Sequence, residues 1–291
     1  MPIPQVKQTI VNTKPKFSVA IRTEAYQKLI NNTLSDQKVA TQFIADISTA
    51  VANNQQLANC DAGSILSAGL VACTLKLPIN QALGFAHLVP YGDKAQFIVG
   101  YKGFIQLAVR SGYYKDIDAQ PVRDGEYKGR DKETGKPVFE FIEDDDIAET
   151  KPIIGYRAYF VLNSGFTKTV YWSKAKIEKH RDKYSKAAKS NSSTNQWRDN
   201  FDGMALKTVI RQLISKWGIM SVEMQSAIEK DQAVIREDGT PEYVDNPEND
   251  GSVVDDNAPK NEIEVTPTPK QEETKPNVSS QAEVNDFGIP K

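Results

Sequence analysis

Residues 84–103 read GFAHLVPYGDKAQFIVGYKG and decide the fold of this chain. Two short apolar runs, Phe85–Val89 and Ala95–Val99, flank the turn residues Tyr91–Lys94, and this pattern predicts a β-hairpin with a longer loop. Gly100 then turns the chain into a predicted helix of about ten residues. The stretch therefore predicts a hairpin that leads directly into a helix.

The region from Pro78 to Arg123 also interleaves glycines, cations and aromatic rings. Backbone amides at glycine turns, cationic side chains and flat rings together suit a polyanion with stackable bases. Gly100–Gly103 would add amides at a helix N-terminus, where Lys102 also favours an anion. Neither Gly-x-x-x-x-Gly-Lys-Ser/Thr nor Gly-x-Gly-x-x-Gly occurs in the sequence. The pattern indicates a nucleic-acid ligand and argues against ATP-driven chemistry.

Charge is segregated along the chain, although the formal net charge of the 291 residues is only −2. Residues 236–291 hold 14 Asp/Glu against 5 Lys/Arg, a net of −9, which leaves +7 on residues 1–235. Residues 168–216 alone hold 12 Lys/Arg against 4 Asp/Glu, a net of +8. This division predicts a basic binding domain followed by an acidic tail.

Composition narrows the class of protein further. With 39% hydrophobic and 25% charged residues, the chain fits a globular protein plus some solvated sequence. No apolar run approaches the roughly 20 residues of a membrane span, and Met1–Lys7 lacks the layout of a signal peptide. Cys60 and Cys73 are too few for a disulfide framework or a zinc site. These features predict a cytoplasmic protein.

The order of periodic segments, helices then strands then helices, predicts an α+β fold. From Thr23 to Val51 the apolar spacing fits two amphipathic helices with a break near residues 31–35. The other predicted elements are a buried helix from Asp61 to Leu75, an end to the helix after Gly100 at Gly112, strands Ile117–Val122, Pro137–Ile142, Ile153–Leu162 and Thr167–Trp172, a basic helix from Ser173 to Tyr184, and helices near 199–217 and 221–235.

Three parts of the chain differ in composition. Residues 1–22 are rich in Pro, Lys, Gln and Thr and show no sustained period, so they are predicted to form a flexible arm. Residues 23–235 carry the periodic segments and form the predicted core domain. Residues 236–291 contain few large apolar side chains, which predicts a disordered acidic tail.

The helix after Trp172 carries cations at three- and four-residue spacing. Lys176, Lys179 or His180, and Lys183 therefore share one face. Like charges at this spacing repel each other, and acidic partners are scarce. A solvated face and a phosphate-binding face are both open, and the local charge favours phosphate binding.

Lys207 and Arg211 stand one turn apart beside the apolar stripe of a later helix. From that position they could face a groove, and we expect them to contact phosphate groups. The sequence leaves a purely structural role open as well.

Residue types that support catalysis are sparse. His87 and His180 lie far apart, without a Cys/His or His-x-x-x-His partner. The run Glu143–Asp146 could bind a divalent metal as a nuclease does, or form a solvated loop between strands. We expect no enzyme, no cofactor and no metal site. A metal-dependent nuclease and an RNA-binding or structural assembly protein are the alternatives.

Motifs in a fixed order resemble the RecT family of phage and prophage single-strand annealing proteins. The resemblance covers residues 24–230 and leaves out the arm and the acidic tail. It rests on Leu77–Ile79, Leu83–Ala86, Val89–Tyr91, Ala95–Phe97, Gly100–Gly103, Arg110–Gly112, Tyr171–Lys174, Trp197, Phe201, Met204–Thr208, Ser215–Gly218 and Val222–Gln225.

The resemblance implies an ATP-independent recombinase that coats single-stranded DNA and pairs it with a complementary strand. It also implies a small antiparallel sheet braced by helices, and a helical or ring-like homo-oligomer with DNA in a continuous basic groove. A phage 5′→3′ exonuclease and the host single-strand-binding protein are the implied partners. The implied location is the bacterial cytoplasm, at the nucleoid during recombination.

By the same resemblance, residues 96–110 and the basic helices line the DNA groove. Tyr101 or Trp197 could stack on bases, and the acidic tail could mimic DNA, dock a partner or simply be solvated. The predicted DNA-binding residues are Lys94, Gln96, Tyr101, Lys102, Arg110, Arg123, Lys174, Lys176, Lys179, Lys183, Trp197, Lys207 and Arg211.

Overall fold

A computed structural model describes residues 15–185, 188 and 195–243. Within these residues helices come first, strands occupy the middle and helices return, and every paired strand is antiparallel to its neighbour. The predicted α+β class with small antiparallel sheets is therefore confirmed.

The helices of the described residues are α1 (Phe17–Ala20), α2 (Glu24–Thr33), α3 (Gln37–Ala52), α4 (Gln55–Ala58), α5 (Ala62–Thr74), α6 (Tyr101–Arg110), α7 (Asp145–Thr150), α8 (Lys174–Tyr184), α9 (Gln196–Asp199), α10 (Phe201–Trp217) and α11 (Val222–Lys230). The strands are β1 (Ala86–Tyr91), β2 (Lys94–Val99), β3 (Tyr114–Arg123), β4 (Tyr127–Arg130), β5 (Pro137–Phe139), β6 (Ile153–Leu162), β7 (Thr167–Ser173), β8 (Ala233–Ile235) and β9 (Pro241–Glu242).

The first sheet has the strand order β1–β2–β8–β9. Its β1–β2 hairpin is tighter than the longer loop expected, because Tyr91 already pairs with Lys94. Gly92 adopts a left-handed φ of +59°, which a side chain would disfavour and which permits a two-residue turn. The glycine at the tip therefore sets the register of the hairpin.

The chain packs backbone against backbone where β2 passes into α6. The Gly100 amide donates to the Phe85 carbonyl at 2.9 Å. A Cβ on Gly100 would lie 2.0 Å from the Gly84 oxygen, and one on Gly103 would lie 2.2 Å from the Phe85 oxygen. Both glycines are thus required for this close approach, whatever ligand they also meet.

The second sheet has the strand order β3–β6–β7. Tyr156 and Phe160 of β6 are fully buried on the face that packs against α10. On the other face, the Arg157 guanidinium lies 5.3 Å from the ring centroid of Phe139 and 4.7 Å from that of Phe141. These cation–π contacts hold the β4–β5 hairpin over the sheet.

The helices before the first sheet pack closely on each other and on β2. A Cβ on Gly69 of α5 would lie 2.4 Å from Ile47 Cδ1 of α3. Asp61, where the predicted helix begins, caps α5 by accepting from the Ser64 amide at 2.9 Å. The Ser64 hydroxyl accepts in turn from the Ala95 amide at 2.9 Å, which ties the helix to β2.

The helix predicted over 221–235 ends at Lys230, and residues 233–235 form β8 beside β2. Gln232 adopts a left-handed φ of +63° at the reversal. Pairing with β2 here outweighs the helical preference of the sequence, because strand pairing is a tertiary interaction that local propensity does not contain. The strand predicted over Pro137–Ile142 likewise stops early, at Phe139.

The acidic run after β5 is not the open loop expected between strands. Asp145 and Asp146 begin α7, and Asp144 caps it by accepting from the Ile147 amide at 3.1 Å. Aspartate is favoured both as an N-cap and in the first turn of a helix. One of the carboxylates considered as metal ligands therefore serves the helix.

Packed structure extends past both predicted domain bounds. Phe17 and Ile21, in the expected arm, are 3% and 2% exposed and belong to the core. Beyond residue 235, the Glu242 carboxylate lies 3.3 Å from Arg236 Nε and 3.4 Å from Lys94 Nζ. The rest of the predicted arm and tail, residues 1–14 and 244–291, lies outside the described residues, so those parts of the domain prediction stay predictions.

No helix among the described residues is long and apolar enough to cross a membrane.

Gly100→Ala should destabilise the protein, because the added Cβ would meet a backbone oxygen rather than a movable side chain. We expect the free energy of unfolding in urea to fall by about 2 kcal/mol, as for other overpacking substitutions. Gly63→Ala is the control, because its nearest neighbour is a side-chain oxygen of Asp61 at 3.1 Å. Equal losses in the two variants would contradict the backbone contact as the cause.

Candidate nucleic-acid interface

A cavity of about 310 Å³ lies between the start of α6 and the start of α10. Three of the predicted DNA-binding residues line it: Tyr101, Lys102 and Lys207. The other lining residues include Gly84, His87, Gln196, Asn200, Asp202 and Gly203.

The N-terminus of α6 opens into this cavity. No side chain caps the helix, and Gly100 occupies the N-cap position. Uncapped amides at a helix N-terminus attract anions, both through hydrogen bonds and through the helix dipole. Lys102 lies beside Gly84, with its Cδ 3.6 Å from where a Cβ would be built. This wall of the cavity can therefore receive a phosphate oxygen.

His87 lines the same cavity and is largely buried. Burial lowers the pKa of its imidazole, and the nearby Lys207 ammonium lowers it further. His87 is therefore neutral at physiological pH and offers the cavity a hydrogen-bonding ring instead of a charge.

The Lys207 side chain is buried, whereas the sequence suggested that it faces a groove. It is 2% exposed, and its Nζ lies 2.7 Å from Asp231 Oδ1. The same oxygen accepts from the Val99 amide at 2.9 Å, while Arg211 Nε stands 3.7 Å from the other Asp231 oxygen. A buried carboxylate therefore already neutralises the Lys207 charge, and the role of this lysine as a phosphate contact stays a prediction that this geometry does not favour.

A second group of predicted residues, four lysines, lies on α8, and three of these side chains sit close to an aromatic ring. Lys176 Nζ lies 4.1 Å from the Trp172 ring centroid and Lys183 Nζ 4.6 Å from that of Tyr184. Lys174 Nζ lies 5.6 Å from the Phe201 centroid, and Lys179 is exposed. We call this surface, formed by Lys174, Lys176, Lys179, Arg181, Lys183, Trp172, Tyr184 and Phe201, the α8 surface.

The α8 surface adjoins the cavity through the start of α10. Phe201 carries two cations of α8 near its ring and directly follows Asn200, which lines the cavity. The Trp197 ring packs edge-on against Phe201 at 5.7 Å and is only 9% exposed. Trp197 therefore packs inside the junction and cannot stack on a base without moving.

Four predicted residues lie apart from this junction. Lys94 pairs with Glu242, and the buried Gln96 donates to the Gln232 carbonyl at 2.6 Å. Arg110, at the far end of α6, donates to the carbonyls that end α5, Leu75 at 2.8 Å and Lys76 at 3.1 Å. Arg123 donates to the Lys151 carbonyl at 3.0 Å. Each of these side chains has a partner in the fold.

Sequence reasoning missed the rings beneath the α8 cations and missed Arg181, whose guanidinium lies 5.9 Å from the Phe201 centroid. Trp172 could have been found, since it lies four residues before Lys176 at the start of the basic helix. Phe201 lies 20 residues beyond Arg181, so no local spacing pairs the two.

The residues in the described ranges contain no cluster of three or more His, Cys, Asp or Glu side chains arranged to hold a metal ion.

Comparison with known proteins places the sequence of this chain in a family. The sequence model of the RecT family matches residues 41–247. An uncharacterized Bacillus subtilis protein, YqaK, is 45% identical over 255 residues, 87% of this chain and 84% of that protein. Protein RecT of Escherichia coli is 31% identical over 207 residues, which cover 66% of this chain and 71% of RecT.

Lys207→Met should lower the stability of the protein without removing a direct contact to DNA. Removing one partner of a buried ion pair costs about 3–5 kcal/mol, because the other charge stays buried. The Arg211 and Val99 contacts of Asp231 should reduce that loss to about 3 kcal/mol, measured by urea denaturation.

The matched control combines Lys207→Met with Asp231→Asn, which should lose less stability than the sum of the two single variants. A Lys207→Met protein of unchanged stability and weakened DNA binding would return this residue to the DNA site.

Proposed function

Because the chain belongs to the RecT family, we propose that it binds single-stranded DNA and anneals complementary strands without ATP during recombination. Family membership is the observation that carries this proposal. The α8 surface and the neighbouring cavity are the regions of the described structure that suit the ligand.

The α8 surface would grip the phosphate backbone. Lys174, Lys176 and Lys183 hold their ammonium groups near aromatic rings, which fixes three positive charges in place on this surface. Contacts of this kind position a strand without reading its sequence. Base edges then stay available for pairing, as an annealing protein requires.

The cavity would take up the strand where it leaves α8. We propose that Lys102 and the first amides of α6 hold a phosphate there. Tyr101 lines the cavity and is half-buried, so its ring is the better placed of the two predicted stacking residues. Base–aromatic stacking contributes about 1–3 kcal/mol per base.

Annealing needs no bond chemistry, so the proposed role is not enzymatic. Duplex formation is itself favourable by about 1.4 kcal/mol per base-pair step. The protein has to hold the strands in a geometry that allows pairing, and it must not bind the base edges itself. Its work is therefore electrostatic and geometric, in the cytoplasm of a bacterial host.

We propose that copies act side by side on one strand. One α8 helix of 11 residues extends about 16 Å, which spans only a few nucleotides. When copies are linked along one strand, the effective concentration for each further binding event rises, and so does the overall affinity. A 5′→3′ exonuclease and the host single-strand-binding protein are the partners that such a reaction requires to make and present its substrate.

A direct assay separates annealing from the alternatives. The full chain, mixed with complementary labelled oligonucleotides and no ATP, should accelerate duplex formation and leave both strands intact. Scission of the labelled strands in the presence of magnesium would support a nuclease. Filament formation without any strand pairing would support a structural assembly protein.

Lys174→Gln combined with Lys179→Gln should reduce the salt dependence of DNA binding. Each lost phosphate contact on a single strand removes about 0.7 from the slope of log affinity against log salt, so we expect a change of about 1.4. Fluorescence anisotropy with two unrelated oligonucleotides should give the same change for both, because these contacts do not read bases.

Lys132→Gln combined with Lys136→Gln is the matched control, since both lysines are exposed between β4 and β5 and belong neither to the α8 surface nor to the cavity lining. An equal change in this control would show that the slope reports overall charge and would remove α8 from the site.

A further inference from the structure

The two ends of the cavity between α6 and α10 differ in charge. At one end, Lys102 and the uncapped amides of α6 favour an anion. At the other end, Asp202 lies in the first turn of α10 and lines the same cavity. Its carboxylate repels phosphate, so a strand that enters the cavity has to place a different chemical group there.

The other ionisable side chains of the lining do not change this division. Lys207 is already paired with Asp231, and the pKa of His87 is lowered by burial and by Lys207, so its ring is neutral at physiological pH. Within the described ranges, Lys102 and Asp202 are the charged side chains of the lining that no ion pair neutralises. The cavity is therefore positive at α6 and negative at α10.

The Asp202 carboxylate is held in place from the core. The hydroxyl of Tyr156 donates to Asp202 Oδ1 at 2.5 Å, and Tyr156 is fully buried in β6. Burial, and then this hydrogen bond, raise the pKa of the Tyr156 hydroxyl, which therefore stays protonated and keeps donating. Among the described residues no other side chain donates to this carboxylate, so it can accept a hydrogen bond from a ligand.

The walls between the two charged ends are apolar. Val89, Ile98, Met204 and Leu206 line the cavity and are each between 7% and 9% exposed. The half-buried ring of Tyr101 adds a flat surface. A volume of about 310 Å³ is at the lower end of the range for small-molecule sites. Apolar walls with polar groups at the ends suit one nucleobase, which has apolar faces and polar edges.

The chemistry of a carboxylate distinguishes among the four bases. An ionised carboxylate accepts hydrogen bonds and cannot donate them. On the edge that faces the major groove of a duplex, adenine and cytosine carry an amino group, whereas guanine and thymine carry a carbonyl oxygen. Asp202 can therefore bind adenine or cytosine through this edge, and it repels guanine and thymine.

We propose that the cavity holds one nucleotide of the bound strand, with its phosphate at the start of α6 and the amino group of cytosine or adenine donating to Asp202. The inference rests on the proposed function and adds to it a preference among bases.

This contact is compatible with annealing. Each exocyclic amino group has two hydrogens, and a base pair uses only one of them. Asp202 would accept from the other hydrogen, on the major-groove edge. The edge that forms the base pair stays free, so pairing does not have to break the contact.

Two short oligonucleotides of equal length, oligo(dC) and oligo(dT), test the preference with the full chain. Both bases are pyrimidines, and a homopolymer offers the same base in every register. We expect the unmodified chain to bind oligo(dC) about tenfold more tightly, as for a hydrogen bond to a charged group. Fluorescence anisotropy at neutral pH measures both affinities, with EDTA present so that no divalent cation joins the carboxylate to a phosphate.

Asp202→Asn should bind the two oligonucleotides about equally, because a carboxamide offers a donor as well as an acceptor. Its oxygen can still accept from Tyr156, and urea denaturation checks that the fold is kept. Asp199→Asn is the matched control, because it removes the same charge three residues earlier and outside the cavity lining. It should keep the tenfold preference, even where both oligonucleotides bind more tightly.

Equal affinity of the unmodified chain for oligo(dC) and oligo(dT) would overturn the proposal. This comparison needs no variant, so it decides the question even where Asp202→Asn fails to fold. A folded Asp202→Asn protein that keeps the preference would remove Asp202 from the contact.

The same measurements separate this inference from the proposed function. Equal binding of both oligonucleotides by a chain that anneals complementary strands would refute the base preference alone. Failure of the unmodified chain to bind either oligonucleotide would refute the proposed function instead.

Discussion

The corner between β2 and α6 is the contact on which the rest of the structure depends. Gly100 and Gly103 let the start of α6 lie directly on the backbone of Gly84 and Phe85. Asp231 then fixes the corner from the other side by accepting from Val99. Together these contacts direct the N-terminus of α6 towards the cavity.

Much of this fold could be predicted, because its signals are local. A cap such as Ser173, a turn glycine such as Gly112 and the alternation of β6 each act within a few residues of their position. β8 could not be predicted, since three apolar residues fit a helix equally well until β2 pairs with them. The missed features are those that depend on a distant partner.

In the candidate site, too, local features could be predicted and features that depend on a distant residue could not. Spacing alone placed the α8 lysines on a shared face, but it could not show the rings beneath them. Lys207 illustrates the limit more sharply, since its partner Asp231 lies 24 residues further on. A lysine beside an apolar stripe gives the same sequence pattern whether its side chain faces solvent or a buried carboxylate. The sequence therefore predicts the basic helix but does not predict that Lys207 is buried.

Copies bound side by side on one strand, as proposed, would bring segments 168–216, each with a net charge of +8, close together. That repulsion opposes assembly in the absence of DNA and is strongest at low ionic strength. A bound strand would supply phosphates that neutralise the lysines, so in the proposed arrangement DNA would strengthen contacts between neighbouring copies. Linkage is reciprocal, and each contact between copies strengthens DNA binding by the same factor. If copies assemble as proposed, this charge pattern would hinder assembly without DNA and make the single strand a condition for assembly.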